Sequence, residues 1–481
     1  MQRRKTNPFL IGLLLAGAST AMCWAQTPSA FTPSGDMQSA RIGHTTTLLN
    51  DGRVLIAGGI GGAGVLATAE LFDPATGAFT PLPAMTTPRQ AHSATLLSDG
   101  RVLIAGGLSG QTRNSQLVSA ELFDPVAGTF TQTADLNATH SQHTATRLSD
   151  GTVLICGGNP DGSLEYYDPS MGTFIPVSGP GFNPSDAVLL ATGSVFLAGF
   201  ADAQILDPTK DSLAPAGRTA DMLNYPAATL LFNGKVLLTG NAGNLDIGQG
   251  CPSPCVSSQL YDPVAAAFSR TAPPWMPHFD HTATLLTDGT VLVAGGVSPT
   301  DGIPPAEVYD PVQDVYRPAG AMVSERVGFS STLLADGRVF ITGGSVPGGG
   351  QPFNALASTE IYTPSQRVPP PVLLSLSGDG TGPGAILHAD SHLPVSDDLP
   401  AAIGEPLEIY VTGLADGGAV PPFVAIGGQA ARVLWFGSSP VYRGLNQINI
   451  RVPAGIATDA PVSVRLNYLG RPSNQVTLSV K

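Results

Sequence analysis

Four histidines occupy one position of a repeated motif, and neutral imidazole is the side chain that most often binds transition metals. His44, His92, His143 and His281 each stand seven residues before the turn residue of their motif copy. If the copies surround an axis, the four imidazoles lie around the mouth of a channel and are candidate binding residues. The alternative is that each histidine caps its strand and bonds a neighbouring loop. We favour this structural role, because repeated residues usually serve the repeat.

A second group of potential ligands is His388-Ala-Asp390-Ser-His392. On one strand these three side chains would share a face, but neighbouring residues of that face are ~7 Å apart and rarely converge on one ion. We therefore expect a structural role and predict no metal site. The sequence also lacks a Gly-x-Ser-x-Gly elbow, a phosphate loop and a His-Glu-x-x-His motif, so we assign no catalytic residue.

If the chain is exported, its cysteines enter an oxidising compartment. Cys251 and Cys255 flank Pro-Ser-Pro in a loop rich in glycine and proline, and we expect them to form a small disulfide. Cys156 lies within the apolar run Val153–Gly157, where we expect a buried free thiol.

The elements that must position these residues are set by the repeat itself. Seven copies are marked by the turn residues Asp51, Asp99, Asp150, Thr192, Asn233, Asp288 and Asp336, and from first to last they span 285 residues in six steps, a mean of 47.5. Each copy has an Asp-Gly-type hairpin, an apolar strand ending in Gly-Gly, a Glu-x-aromatic-Asp-Pro strand and an outer aromatic strand. Four-stranded units that cannot bury both faces alone must stack around an axis, which predicts a seven-bladed β-propeller.

The ends of the repeat region predict how the ring closes. Phe31-Thr-Pro33, Met37 and Arg41 match Phe79-Thr-Pro81, Met85 and Arg89 at a constant offset of 48 residues. The first segment is thus an outer strand without its own blade, while the seventh copy stops before its outer strand. We expect the N-terminal strand to complete blade seven.

The motif resembles the kelch repeat, and more closely the central domain of galactose-oxidase-like proteins. The resemblance implies an all-β fold with a propeller over residues 26–367. The residues before it, 1–25, have the pattern of a signal peptide. Residues 368–481 show period-two alternation and predict an immunoglobulin-like β-sandwich. This part resembles a C-terminal module of secreted bacterial proteins, which implies no chemistry.

In galactose oxidase the copper ligands are two tyrosines and two histidines; one tyrosine is crosslinked to a cysteine and the other directly precedes a histidine. This sequence has no Tyr-His dipeptide, and Cys156 lies in a core strand. We therefore predict no cofactor. Copper belongs only to the alternative, an oxidase whose site would lie at the channel mouth with His44, His92, His143 and His281 as ligands.

Composition and loops give the remaining expectations. Arg3, Arg4 and Lys5 precede an apolar run and a small-residue cleavage site, which predicts secretion without a membrane anchor. The net charge of −13 disfavours nucleic acid as a partner. The loops after the second strands vary in length and are rich in Gly, Ser, Asn and Gln. We expect a monomer that recognises an extracellular glycan or protein through these loops, at the cell surface, in the periplasm or outside the cell.

Overall fold

The computed structural model describes residues 29–159, 162–209, 211–242, 256–276, 278, 280–297, 304–346, 354–414 and 420–481. The predicted signal peptide and the predicted Cys251–Cys255 disulfide lie outside these ranges. Thirty-nine strands and one short 3-10 helix, Arg113–Ser115, make up the regular structure of these residues. Among them, no helix is both long and apolar enough to cross a membrane.

The propeller contains thirty strands: β1 (Ala30–Asp36), β2 (Thr45–Leu48), β3 (Val54–Ala57), β4 (Ile60–Gly61), β5 (Gly64–Val65), β6 (Ala69–Asp73), β7 (Ala78–Pro81), β8 (Ser93–Leu96), β9 (Val102–Ala105), β10 (Ala120–Asp124), β11 (Thr129–Gln132), β12 (Thr144–Arg147), β13 (Val153–Cys156), β14 (Leu164–Asp168), β15 (Thr173–Val177), β16 (Asp186–Leu189), β17 (Val195–Ala198), β18 (Asp202–Asp207), β19 (Ser212–Arg218), β20 (Leu223–Leu230), β21 (Val236–Ala242), β22 (Val256–Asp262), β23 (Ala267–Arg270), β24 (Thr282–Leu285), β25 (Val291–Ala294), β26 (Ala306–Asp310), β27 (Val315–Gly320), β28 (Ser330–Leu333), β29 (Val339–Thr342) and β30 (Ser358–Thr363).

Seven four-stranded antiparallel sheets form the seven blades, which confirms the predicted propeller. The second strand of a blade is buried along its length, as in β3, β9 and β13, because both of its faces pack against neighbouring blades. Cys156 lies at the end of β13, is fully buried and forms no disulfide. Burial raises the pKa of the Cys156 thiol, so it is the buried free thiol that the sequence predicts.

The N-terminal strand closes the ring as predicted. Strand β1 pairs with β30 and completes blade seven in the order β1-β30-β29-β28. Phe31 lies opposite Tyr362 in this pair, and the centroids of their rings are 4.9 Å apart. Phe79 and Phe72 make the equivalent contact in blade one, also at 4.9 Å. No outer sheet edge is left open where the two ends of the repeat region meet.

Five blades contain a buried contact that gives the repeated glutamate its role. The glutamate on the third strand faces an arginine or a histidine on the segment that enters the same blade. Three blades have an arginine–glutamate ion pair, Arg41–Glu70 (2.8 Å), Arg89–Glu121 (3.0 Å) and Arg326–Glu360 (2.9 Å), and two have a histidine–glutamate contact, His140–Glu165 (3.2 Å) and His278–Glu307 (3.4 Å). Blades four and five have Phe182 and Leu223 at the position of this arginine or histidine, and glutamine instead of glutamate. Loss of the basic side chain thus coincides with loss of the carboxylate that it would contact.

The C-terminal part contains nine strands: β31 (Val372–Leu373), β32 (Ile386–His388), β33 (Pro406–Thr412), β34 (Phe423–Ile426), β35 (Gln429–Ser438), β36 (Asn446–Arg451), β37 (Val462–Tyr468), β38 (Arg471–Pro472) and β39 (Val476–Leu478). They form one curled antiparallel sheet rather than two separate sheets. The reason is β35, which pairs with β34 through Gln429–Ala431 and with β36 through Arg432–Ser438. The two halves of this sheet enclose a single apolar core.

This C-terminal sheet covers the propeller at the end where the Asp-Gly turns lie. Phe423, Asn467, Leu469 and Gly470 reach the central channel, a space of about 530 Å³ lined otherwise by the innermost strands. Arg471 is fully buried at the junction and donates hydrogen bonds through Nη1 to the carbonyl oxygens of Ala335 (3.2 Å) and Val368 (2.8 Å). The opposite end of the channel carries the Gly-Gly loops and the four repeated histidines.

Candidate functional site

The four repeated histidines connect neighbouring blades. Each Nε2 forms a hydrogen bond with a hydroxyl of the preceding blade: His44 with Thr342 (2.7 Å), His92 with Thr45 (2.9 Å), His143 with Ser93 (2.8 Å) and His281 with Thr239 (2.8 Å). The rings of His44, His92 and His143 also pack on the first glycine of that blade; a Cβ on Gly343, for example, would lie 2.7 Å from Cε1 of His44. The structural role favoured from the sequence therefore accounts for these contacts.

The environment of these histidines favours neutral imidazole. Burial, together with the nearby cations, lowers the pKa of His44 to about 3, and burial and the adjacent histidine have the same effect on His143 and His281. The pKa of His92 also lies well below its usual range. Nothing brings the four rings to one point: in the described part of the chain, no three His, Cys, Asp or Glu side chains are grouped so that they could hold a metal ion.

The three residues His388, Asp390 and His392 do not share a strand face. Strand β32 ends at His388, and the chain turns back through a hydrogen bond from the His392 N–H to the His388 carbonyl oxygen (2.8 Å). His388 Nδ1 contacts Glu405 at 2.5 Å, whereas His392 Nδ1 contacts Glu408 at 3.1 Å. Each histidine thus has its own carboxylate partner, in agreement with the structural role expected for them.

A row of backbone hydrogen bonds runs around the mouth of the channel. The N–H of Gly43 donates to Gly328 (3.0 Å), that of Ala91 to Gly43 (2.9 Å), and that of Gln142 to Ala91 (2.8 Å). These positions adopt left-handed backbone conformations, with φ +53° at Gln142. Among the described residues the row ends at Gln142, in blade three. A cleft opens beside its end.

This cleft, which we call the amide cleft, has a volume of about 540 Å³. Side-chain amides and hydroxyls dominate its lining, with one aromatic ring; the residues are Asn114, Gln116, Ser141, Gln142, Gly158, Asn159, Asn183, Pro184, Ser185, Phe200, Leu223, Asn224 and Pro226. None of these residues is charged. The cleft therefore offers neutral donors and acceptors together with a small apolar surface.

The amide cleft lies where the repeat loses its consensus. Blades four and five replace the repeated histidine by Ser185 and Pro226, and the second glycine of Gly-Gly by Phe200 and Asn241. In blades four and five, Ser185 and Pro226 stand where other blades have the repeated histidine, and uncharged residues stand where those blades have the basic partner of the glutamate. The sequence contained this signal, but only the structure shows that Ser185, Phe200 and Pro226 line one cavity.

Hydrogen bonds hold several cleft amides in place. The Asn183 Oδ1 accepts from the Gly158 N–H (2.9 Å), and Gln116 Nε2 donates to Ser141 Oγ (2.9 Å) and to the Gly158 carbonyl oxygen (3.0 Å). Asn159 is buried, and its Oδ1 has no hydrogen-bond partner in the described part of the chain. A buried acceptor without a donor is costly, so this oxygen is suited to a donor supplied from the cleft.

The residues present do not fit a copper centre of the oxidase type. Tyr167, Tyr261, Tyr309 and Tyr362 each pack against an aromatic ring within their own blade, at centroid distances of 4.8–4.9 Å. The histidines are engaged in the inter-blade bonds and ion pairs described above, and Cys156 is enclosed in an apolar core. We derive no chemistry through copper for this chain.

Comparison with known proteins supports the fold and no more. Neither a protein-family model nor a curated protein matches the chain. Among solved structures, a fungal alcohol oxidase of the AA5 family, in complex with copper, matches with a TM-score of 0.59 and 16% sequence identity, over 95% of this chain and 100% of that one. The sequence resemblance is thereby confirmed as one of structure: the chain has the galactose-oxidase-like fold, a seven-bladed propeller followed by a C-terminal β-sheet domain.

Proposed function

We propose that this protein is a non-catalytic binding protein that recognises a neutral, hydroxyl-rich ligand, of the glycan class, in the amide cleft. The observation that carries the proposal is the coincidence of two features. Two repeats lack both the basic partner of the glutamate and the repeated histidine, and these two contribute replaced residues to the lining of this cavity, namely Ser185, Phe200, Leu223 and Pro226. The fold does not require these replacements, since the other blades form without them.

The chemistry of the cleft supports this class of ligand. Amides and hydroxyls can both donate and accept hydrogen bonds, as the hydroxyls of a sugar do. Phe200 and Leu223 add apolar surface against which the C–H face of a sugar ring can pack. A volume of about 540 Å³ lies within the usual range of small-ligand sites. A strongly charged ligand would find no opposite charge among the described lining residues.

Two variants that restore the repeat consensus test this proposal. Ser185→His reintroduces the imidazole, and Phe200→Gly reintroduces the second glycine. We expect both variants to fold, with unchanged circular dichroism, and to lose retention on a glycan array that retains the wild type. Gln90→Ala, on the same face but outside the cleft, is the matched control and keeps binding. Retention that survives both consensus variants would contradict the assignment of the ligand to this cleft.

Copper content and oxygen consumption separate the binding protein from the oxidase alternative. For a binding protein, material purified from its native compartment should contain no stoichiometric copper and should consume no oxygen with simple alcohols or aldehydes. Bound copper that disappears when His92 and His143 are replaced by alanine, with oxygen consumption that disappears with it, would replace the binding proposal by the oxidase.

A further inference from the structure

A second cavity lies between the propeller and the C-terminal sheet. This interdomain pocket has a volume of about 290 Å³ and is lined from the propeller side by Arg147 and Asn50, and from the C-terminal side by Pro422, Phe423, Trp435 and Arg465, among others. Two guanidinium groups thus line the pocket, and none of its lining residues is Asp or Glu. It is on the face opposite the amide cleft.

Arg147 interrupts a column of leucines. Three residues before each turn residue, six copies of the repeat carry leucine: Leu48, Leu96, Leu189, Leu230, Leu285 and Leu333. The third copy alone carries arginine. Since leucine serves this position in every other blade, the propeller fold does not explain the charge.

The guanidinium of Arg147 is held in place but not neutralised. Its Nη1 donates to the Leu96 carbonyl oxygen (2.9 Å), and its Cζ lies 4.1 Å from the centroid of the Phe423 ring. It forms no ion pair with any carboxylate in the described ranges. Burial lowers the pKa of Arg147 to about 10, the direction expected for a cation that has lost water without gaining an anion.

Arg465 is in a similar position. Its Nη1 donates to the Asn50 carbonyl oxygen at 3.4 Å, and burial lowers its pKa despite the opposing effect of Asp51. The Asp51 carboxylate is already engaged with Arg53 at 2.6 Å. The pocket therefore contains two partly desolvated cations: Arg147 has no ion-pair partner in the described ranges, and the carboxylate that acts on Arg465 is already paired with Arg53.

The wall of the pocket is apolar and partly open. Strand β35 has a β-bulge between Val433 and Trp435, and the side chains of Leu434 and Trp435 are 42% and 44% exposed. Gly437 lets the indole lie against the strand, since a Cβ there would be 3.1 Å from Trp435 Cζ2. Bulges commonly redirect side chains beside binding sites, and here the redirected residues form the rim.

We propose that the interdomain pocket binds a small organic acid, with its carboxylate on the guanidiniums of Arg147 and Arg465 and its aromatic or alkyl body against Trp435 and the neighbouring apolar wall. A guanidinium presents paired N–H donors that match the two oxygens of a carboxylate. The anion supplies the missing counter-charge. Because the pocket and the amide cleft are at opposite faces, this proposal is independent of the proposed function.

The test uses 2-naphthoate as the probe, with isothermal titration calorimetry on the full chain. The decisive variant is Arg147→Leu, which installs the residue of the other six blades. We expect it to bind 2-naphthoate at least ~10-fold more weakly, as expected for loss of a charge-assisted hydrogen bond, while its melting temperature stays equal or rises. Arg465→Gln should also weaken binding, and quenching of tryptophan fluorescence by the probe should disappear in Trp435→Phe.

Matched controls separate the proposal from its alternatives. Arg338→Leu removes an arginine of an equivalent Asp-Gly turn outside the pocket and should leave the affinity unchanged. The neutral analogue 2-naphthalenemethanol should not bind, and sulfate alone should bind more weakly than 2-naphthoate. The proposal is wrong if the wild type does not bind 2-naphthoate, if the alcohol or sulfate binds equally well, or if Arg147→Leu keeps full affinity. A lower melting temperature of Arg147→Leu would instead assign the arginine to stability.

Discussion

Gln142 has a backbone conformation that favours glycine, and its side chain lines the amide cleft. The equivalent positions of blades one and seven are Gly43 and Gly328, with φ +63° and +59°. Ala91 occupies the same position in blade two with φ +52° but does not line the cleft. Asp280 has the same position in blade six, with φ +53°. Ala91, Gln142 and Asp280 thus have the same backbone strain, and of these three only Gln142 lines the proposed site.

We predict that Gln142→Gly raises the free energy of unfolding by about 0.5–1 kcal/mol, because glycine relieves the left-handed strain. The same change should weaken binding to the glycan that binds the wild-type protein on the array. Ala91→Gly should give a similar gain in stability with no effect on binding. Urea unfolding and titration of the ligand measure the two quantities separately. Equal affinities of Gln142→Gly and the wild type would remove Gln142 from the site.

The buried histidines make stability depend on pH in a predictable direction. The pKa of His44, His143 and His281 in the folded protein is about 3, whereas an exposed imidazole titrates near 6.5. Below about pH 6.5 the unfolded chain therefore binds protons that the folded chain does not. Each such histidine lowers the free energy of unfolding by about 1.4 kcal/mol per pH unit as the pH falls towards 3.

The measurement is a series of urea unfolding curves between pH 7 and pH 4. His143→Gln should show a shallower loss of stability across this range than the wild type, by the contribution of one proton. Gln90→Ala, which removes no titrating group, should keep the wild-type slope. Parallel slopes for His143→Gln and the wild type would show that this imidazole is not neutral in the fold.

We expect strand β1 to stabilise blade seven as much as the other outer strands stabilise their blades. We expect removal of residues up to 40 to lower the melting temperature sharply, because β30 would lose its outer neighbour and the ring would lose its closure. Phe31→Ala and Phe79→Ala form a matched pair, since each removes one ring contact of 4.9 Å. Both should cost about 3 kcal/mol in urea unfolding. A truncated protein with wild-type thermal stability would contradict closure.

The entry to blade five is held by Gln259 rather than by a glutamate. Its Oε1 accepts from the Ala220 N–H (2.6 Å), and its Nε2 donates to the Asp221 carbonyl oxygen (3.1 Å). We predict that Gln259→Glu costs about 3 kcal/mol at pH 7, because it buries a carboxylate without a cation and loses the donor. Burial without a cation raises the pKa of such a carboxyl, so the cost should shrink as the pH falls. The isosteric Gln313→Glu, at an exposed turn, serves as the control.

The strands and their closure could be predicted from the sequence because they depend on local, repeated signals. The offset of 48 residues between Phe31 and Phe79 was sufficient to place β1 on the last blade. The partner of Glu70 was not predictable in this way. Arg41 is 29 positions away and also bonds a glycine carbonyl of its blade, and in two other blades a histidine, His140 or His278, bonds the equivalent carbonyl and glutamate. Which side chains meet at such a distance depends on how the segment entering a blade packs against its third strand.

The sequence indicated the loops after the second strands as a binding surface, and Asn114 and Gln116 of one such loop line the amide cleft. It did not identify the other residues of this cleft or the interdomain pocket. The repeated histidines serve the fold, whereas these sites are completed by exceptions to the repeat such as Ser185, Phe200 and Arg147. Whether a residue that departs from the repeat belongs to a binding site can be judged only when its neighbours in the folded structure are known. The pocket at Arg147 further requires the position of the C-terminal sheet, which nothing in either domain's own pattern predicts.

The junction between the domains determines whether the two unfold together. Arg471 is buried there, and its Nη1 donates to the carbonyl oxygens of Ala335 in the propeller and of Val368, where the C-terminal part begins. Burial lowers the pKa of Arg471 to about 10. We expect one calorimetric transition for the wild type and two for Arg471→Ala, because the variant leaves those carbonyls without a donor at the interface. Arg432→Ala, on the same sheet, should keep a single transition. Two transitions already present in the wild type would contradict this coupling.

Closure by β1 also has a consequence for how the protein is made. Phe31 and its partner Tyr362 are separated by more than three hundred residues, so at a synthesis rate of ~5–20 residues per second β1 waits roughly 15 to 65 seconds for its place in the ring. During that time six blades can form, but the seventh has a free edge and the first strand has no partner. A second nascent chain can supply the missing strand, which would give a domain-swapped dimer. High expression rates should therefore increase the dimeric fraction on size-exclusion chromatography, and slow synthesis should favour the monomer.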